Sequence, residues 1–190
     1  MKSCKWIALG VAILFFATTA DALIQALTPM KKIMADSHFV VEAAVVDVLP
    51  LQPGVVLEFK ENLKGEFKIK KMPINMEGDG ECKKLNHTPQ LMKRLSKDLP
   101  VILFLNYNKA NDNYIGFAYT NGTWFQVQHD ASKGGAVWSL THGEPYLRRT
   151  FKGTTQEMKT IVVDNVKKGK RPPPEDPKEA PGFGPEVGGK

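Results

Sequence analysis

The stretch FVVEAAVVDVLPLQPGVVLEFK, residues 39–60, decides the fold. Phe39 to Leu49 is crowded with the β-branched Val40, Val41, Val45, Val46 and Val48, which suit a pleated strand, and Pro50 stops the run. Gln52-Pro53-Gly54 is a turn signal. Beyond it, apolar Val55, Leu57 and Phe59 alternate with Val56, Glu58 and Lys60, the period of a half-buried strand. The pair predicts an antiparallel hairpin.

The next segments continue in the same vein. Leu63-Lys64-Gly65-Glu66 predicts a turn, and Phe67 to Met76 a third strand with an edge near Pro73, because proline cannot donate to a ladder. Thr88-Pro89 is a helix start, with Leu91, Met92 and Leu95 at helical spacing and Lys93, Arg94 and Lys97 outside them. Val101 to Leu105 is unbroken apolar sequence and reads as a central strand buried on both faces. Tyr114 to Thr120 and Thr123 to Gln128 flank Asn121-Gly122, whose tolerance of positive φ suits a type I′ hairpin turn. A further strand is predicted over residues 136–140.

The flanks read as helix and tail. Thr28 before Pro29 predicts a short helix to about Ala35, with threonine as cap and proline in the first turn. Thr154 and Glu157 form a Thr-x-x-Glu capping box, predicting a helix to Lys168 that stops at Gly169 and docks Ile161, Val162 and Val166 on the barrel. Residues 170–190 hold six prolines and four glycines, a composition that predicts an extended, mobile tail. At the other end, Lys2 and Lys5, the apolar run Trp6 to Phe16 and Ala20-Asp21-Ala22 have the form of an export signal. Its apolar run is shorter than the roughly 20 residues a bilayer requires.

Strand, strand, strand, helix, strand, strand is the order of an OB-type barrel. The expected fold is therefore mainly β, a five- to six-stranded OB-like Greek-key barrel with a short helix between strands 3 and 4 and a C-terminal helix. The expected divisions are a signal peptide at 1–22, the barrel with its N-terminal helix at 23–150, the C-terminal helix at 151–169 and the tail at 170–190.

With Val41 to Val46 as a Val-x-Ala-x-Val-type first strand, the Leu63-Lys64-Gly65 turn and the apolar Val101 to Leu105, residues 37–128 resemble the netrin-like and tissue-inhibitor-of-metalloproteinase domains. The whole chain is similar to secreted bacterial proteins that carry such a barrel, a Phe-Lys-Gly-Thr-Thr helix start (Phe151 to Thr155) and a proline-rich tail with Gly-Pro-Glu-Val (residues 184–187). The resemblance implies the barrel fold. It does not imply the inhibitor chemistry, which needs an N-terminal cysteine on the protease zinc, whereas cleavage after Ala22 starts the chain at Leu23.

Composition narrows the function classes. Loss of Lys2, Lys5 and Asp21 with the signal lowers the formal charge from +6 to +5, a mild excess that favours loose attraction to anionic surfaces. Cys4 leaves with the signal too. Cys82 remains as a candidate free thiol in the polar, exposed-looking run 78–84, where Lys83 and Lys84 would lower its pKa, or as an inert loop cysteine.

No His-x-x-x-His, Cys-x-x-Cys or Gly-x-Ser-x-Gly spacing occurs, so no catalytic, cofactor or metal site is predicted; His142-Gly143-Glu144 is one of two suggestive histidine neighbourhoods. Ten basic residues lie between Lys60 and Lys97, and strands two and three are the usual ligand face of an OB barrel. Lys60, Lys68 and Lys70 are the candidate basic face; Tyr119, Trp124 and Trp138 are candidate aromatic contacts, against the simpler reading as core. The expected function is an exported, non-catalytic binding module. Its partner would be an anionic envelope polymer or another exported protein, because an exported chain does not meet intracellular nucleic acid, and its mature part has no transmembrane segment. The alternative is an enzyme or protease inhibitor whose site has no recognisable motif.

Overall fold

The computed structural model describes residues 26–130 and 137–187, so the segment predicted to be an export signal lies outside the described residues. Seven strands, β1 (Phe39–Leu49), β2 (Gly54–Lys64), β3 (Lys71–Asn75), β4 (Pro100–Asn108), β5 (Asn113–Thr120), β6 (Thr123–Asp130) and β7 (Val137–Gly143), close into a barrel. Their order is β1-β2-β3-β7-β6-β5-β4, with β4 returning to β1. Every pairing is antiparallel except β3 with β7, which joins Ile74 to Trp138 and Asn75 to Ser139. The count exceeds the expected five to six, although each of the seven strands overlaps a segment predicted individually.

The hairpins follow their local chemistry. Asn121 and Gly122 both have positive φ, 43° and 78°, as the two-residue turn requires. Gly116 on β5 is needed for another reason: a Cβ there would lie 1.9 Å from the Phe104 carbonyl oxygen on β4. Strand β3 is shorter than predicted, since residues 66–70 belong to no strand and Lys70 alone reaches the ladder, its carbonyl accepting from the Phe59 amide at 2.9 Å.

Two short helices, α2 (Gly80–Lys84) and α3 (His87–Met92), occupy the connection where one was expected. Asp79 caps α2 by accepting from the Cys82 amide. Thr88 does not start α3, because its hydroxyl donates to the Met76 carbonyl at 2.7 Å; Asn86, in the left-handed region, sits at the cap position. Helix α1 (Met30–Asp36) likewise begins after Pro29, whose carbonyl accepts from the Lys32 and Ile33 amides.

Two apolar layers result. Inward residues of all seven strands, among them Leu57, Met72, Leu103, Phe125 and Trp138, fill the barrel. Outward residues Val40, Ile102, Phe104, Tyr119 and Trp124 form a second layer, covered by Met30 and Ile33 of α1, Leu147 of a 3₁₀ turn (Pro145–Arg149), and Met158 and Val162 of α4 (Thr155–Lys168). Strand β4 is thus buried on both faces, as its sequence predicts. The reciprocal capping box of Thr154 and Glu157 and the left-handed Gly169 bound α4.

The tail corrects an expectation. Residues 170–187 are free of helix and strand, as their composition predicts, yet they are strapped to the barrel and not loose. The Asp176 amide donates to the Arg149 carbonyl at 2.7 Å, the Gly182 amide to the Pro145 carbonyl at 3.0 Å, and the Val187 amide to the Lys93 carbonyl at 3.0 Å. A tail without a core of its own borrows one. Among the described residues, no helix is long and apolar enough to cross a membrane.

Candidate functional site

On β2 the outward residues are Val56, Glu58 and Lys60; pairing sets Val56 beside Pro73 and Glu58 beside Lys71 on β3. Helix α4 meets the C-terminal end of β2, where Lys159 pairs with Glu61 at 2.8 Å and Leu63 joins the helix-covered layer. At the upper end of this outer face of β2 and β3, next to the β1–β2 turn, a depression of about 490 Å³ is lined by Leu49, Gln52, Val56, Pro73, Asn75 and Val137, among others. Leu51 at the turn is 96% exposed.

The predicted basic residues fall into different roles. Lys60 is exposed but paired with Glu58, whose carboxyl it holds below the usual range by hydrogen bonding and charge. Lys68 and Lys70 are exposed on either side of half-buried Ile69, and neither has an ion pair among the described residues. Elsewhere part of the basic run is engaged: Lys64 donates to the Met34 and Ser37 carbonyls at 2.7 and 2.6 Å, and Lys93 and Arg94 face Glu186 at 3.6 and 3.9 Å, while Lys83, Lys84 and Lys97 are exposed. Exposed Lys71 directly follows Lys70 in sequence.

The predicted aromatic contacts are corrected to core. Tyr119, Trp124 and Trp138 are all buried. Trp124 donates to the Phe151 carbonyl at 2.9 Å, and the Tyr119 hydroxyl donates to the Gly153 carbonyl while accepting from the Gly122 amide. Trp124 and Phe125 do point to opposite faces, one to the helix-covered layer and one into the barrel. Wholly buried rings meet no ligand.

Cys82 is corrected as well. A helix turns the thiol inward while Lys83 and Lys84 face solvent, so it is buried, 3.5 Å from the Thr88 hydroxyl oxygen. Burial pushes its pKa up, opposite to the predicted lysine effect. A buried, largely protonated thiol is a poor nucleophile.

Sequence reading missed one polar cluster. His142 on β7 is buried with Nδ1 3.2 Å from Asp79 Oδ2 and Nε2 3.1 Å from Glu144 Oε1. Burial pulls its pKa down, but the bonds to Glu144 and Asp79 outweigh this and raise it to about 8. Adjacent His87 has its Nδ1 accepting from the Gly143 amide at 3.1 Å, and burial followed by the His142 charge lowers its pKa. The signal for this cluster was present in part. His142 and Glu144 are two apart along the end of a strand and so share a face, but nothing local brings Asp79 to them.

Both nitrogens of His142 are engaged, so neither is presented to a metal or a reactant. No group of three or more His, Cys, Asp or Glu among the described residues could hold a metal ion. The cluster works as a clamp: Asp79, just after β3, is tied to β7, and the Asp79 amide donates to the Thr141 carbonyl at 2.9 Å. It extends a seam whose strand pairing is only two residues long.

Comparison with known proteins gives no match: no protein-family model fits the chain, and no curated protein or solved structure is significantly similar to it.

Proposed function

We propose that this chain is an exported, non-catalytic binding module that engages an anionic partner, an envelope polymer or another exported protein, through the outer face of β2 and β3. The observation that carries the reading is the exposure of Lys68 and Lys70, free of ion pairs with described residues, in the segment that leads into β3. The chemistry-bearing side chains support it in a second way. His87, His142 and Cys82 are all buried and bonded internally, which leaves charge and shape as the surface's means of recognition.

An OB-type, netrin-like lineage is part of the proposal. It is supported by β1 closing on β4, by the parallel β3–β7 pair and by helices between β3 and β4, with the β5–β6 hairpin as an addition to the five-stranded pattern.

The test is salt-dependent retention on an immobilised anionic polymer such as heparin. Few contacts with an anionic chain give a shallow but measurable salt dependence, so Lys68→Gln/Lys70→Gln should elute at clearly lower salt than the wild type. Equal elution of the two proteins rejects the lysine face.

A further inference from the structure

The last described residues lie in a site with the features of peptide recognition. Phe183 enters a slot that exists because residue 143 is glycine: a Cβ there would come within 2.4 Å of the phenyl ring. One side of the slot is the His87 ring, edge-on at 5.3 Å and 89°, held by its bond from the Gly143 amide. The other is the Arg94 guanidinium, 5.6 Å from the ring centre.

Gly184 follows against the Asn121-Gly122 turn. A Cβ on it would lie 2.0 Å from the Asn121 carbonyl oxygen, so only glycine fits there. Arg94 Nε donates to the Gly184 carbonyl at 2.6 Å, and Glu186 lies within ion-pair reach of Lys93 and Arg94. Main-chain bonds from Gly182 and Val187 fix the register at either end. Upstream, Glu179 binds Arg148 at 3.0 Å and Lys152.

Main-chain bonds for affinity and side-chain slots for specificity are how extended peptides are recognised. The segment uses both, and it contributes no strand or helix to the fold. Residues 169–175, with Pro172, Pro173 and Pro174 in succession, separate it from α4; at about 3.1 Å per residue in polyproline geometry they form a spacer of roughly 20 Å.

We infer that residues 176–187 are a releasable ligand held in cis, and that the same site accepts this segment from a second copy of the chain, giving tail exchange. A short tether supplies an effective concentration on the order of millimolar, so the cis form prevails in dilute solution and exchange becomes visible when one tail is disabled. This inference is independent of the lysine face on the opposite connection of the barrel.

Two full-length variants test it. Phe183→Ala/Gly184→Leu removes the ligand and leaves the site; Arg94→Ala damages the site and leaves the ligand. Mixed at about 100 μM, the two should form a 1:1 complex by light scattering, while each alone stays monomeric. A fluorescein-labelled peptide of residues 176–187 should bind the first variant at least tenfold more tightly than the wild type, and lose that gain when Arg94→Ala is added. Absence of both the mixed complex and saturable peptide binding, with the barrel folded by circular dichroism, overturns the inference.

The wild type provides an arm that needs no variant. Amide hydrogen exchange at Gly182 and Val187 should occur through an opening much easier than global unfolding, at least a hundredfold faster than in β4. Exchange of those amides only with the barrel core would equally overturn release.

Discussion

The two outer sides of the barrel are built on different physics. Over β1, β4, β5 and β6 the outward apolar side chains Val40, Ile102, Phe104, Tyr119 and Trp124 are covered by α1, the 3₁₀ turn and α4, so burial stabilises that side. Over β3 and the first part of β2 the outward residues include Glu58, Lys60 and Lys71, and the neighbouring β3–β7 seam is secured by the Asp79–His142–Glu144 clamp. A closed barrel can therefore devote one wall to stability and leave the other to solvent and partners. The β3–β7 seam beside the more polar wall is held in part by an ionisable clamp and is thus sensitive to pH.

Trp124→Ala is the harshest test of the covered wall. It empties a wholly buried ring site between Phe104, Tyr119 and the Phe151 carbonyl, and about 3–5 kcal/mol of stability should be lost, measured by urea unfolding. A loss below about 1 kcal/mol would mean that the helices contribute little.

The open wall predicts a pH effect. His142 has a pKa of about 8 in the fold against an ordinary 6.5, so its stabilisation is fully present below pH 6.5 and is lost as pH rises through 8. The difference corresponds to about 2 kcal/mol. His87, whose pKa is lowered, acts in the opposite sense, costing stability as pH falls below its unfolded value. The His142 part is isolated as the difference in pH dependence between wild type and His142→Gln. Parallel curves from pH 6 to 9 would remove the clamp from the account.

A smaller effect is expected where α4 begins. Thr154→Ala deletes the hydroxyl that accepts from the Glu157 amide and should cost about 1 kcal/mol in the same unfolding measurement. Smallest of all, Lys68→Gln/Lys70→Gln should change stability by less than about 0.5 kcal/mol, because both side chains are exposed and have no ion pair among the described residues. That near-neutrality gives the retention experiment its meaning: a lost interaction without a lost fold.

What the sequence made legible was whatever local chemistry settles. The β1 bounds, the Asn121-Gly122 turn and the Thr154 capping box each depend on residues within a few positions of one another, and each stands where it was expected. Long-range juxtaposition was not legible. Cys82 sits in a polar run, yet five residues of helix suffice to turn its thiol inward. Asp79 reaches His142 across 63 positions, and Arg94 meets Gly184 across 90. The tail was read from composition, which measures whether a segment can make its own core and is silent on whether another segment lends it one.

Strapping also fixes a direction. Helix α4 ends at Lys168 after lying across the covered wall, but the last bond among the described residues is made at Val187, beside α3. A dye, tag or fused domain joined beyond that point therefore departs from the α3 side on a set bearing, and the barrel, more than the proline spacer, governs which way it points.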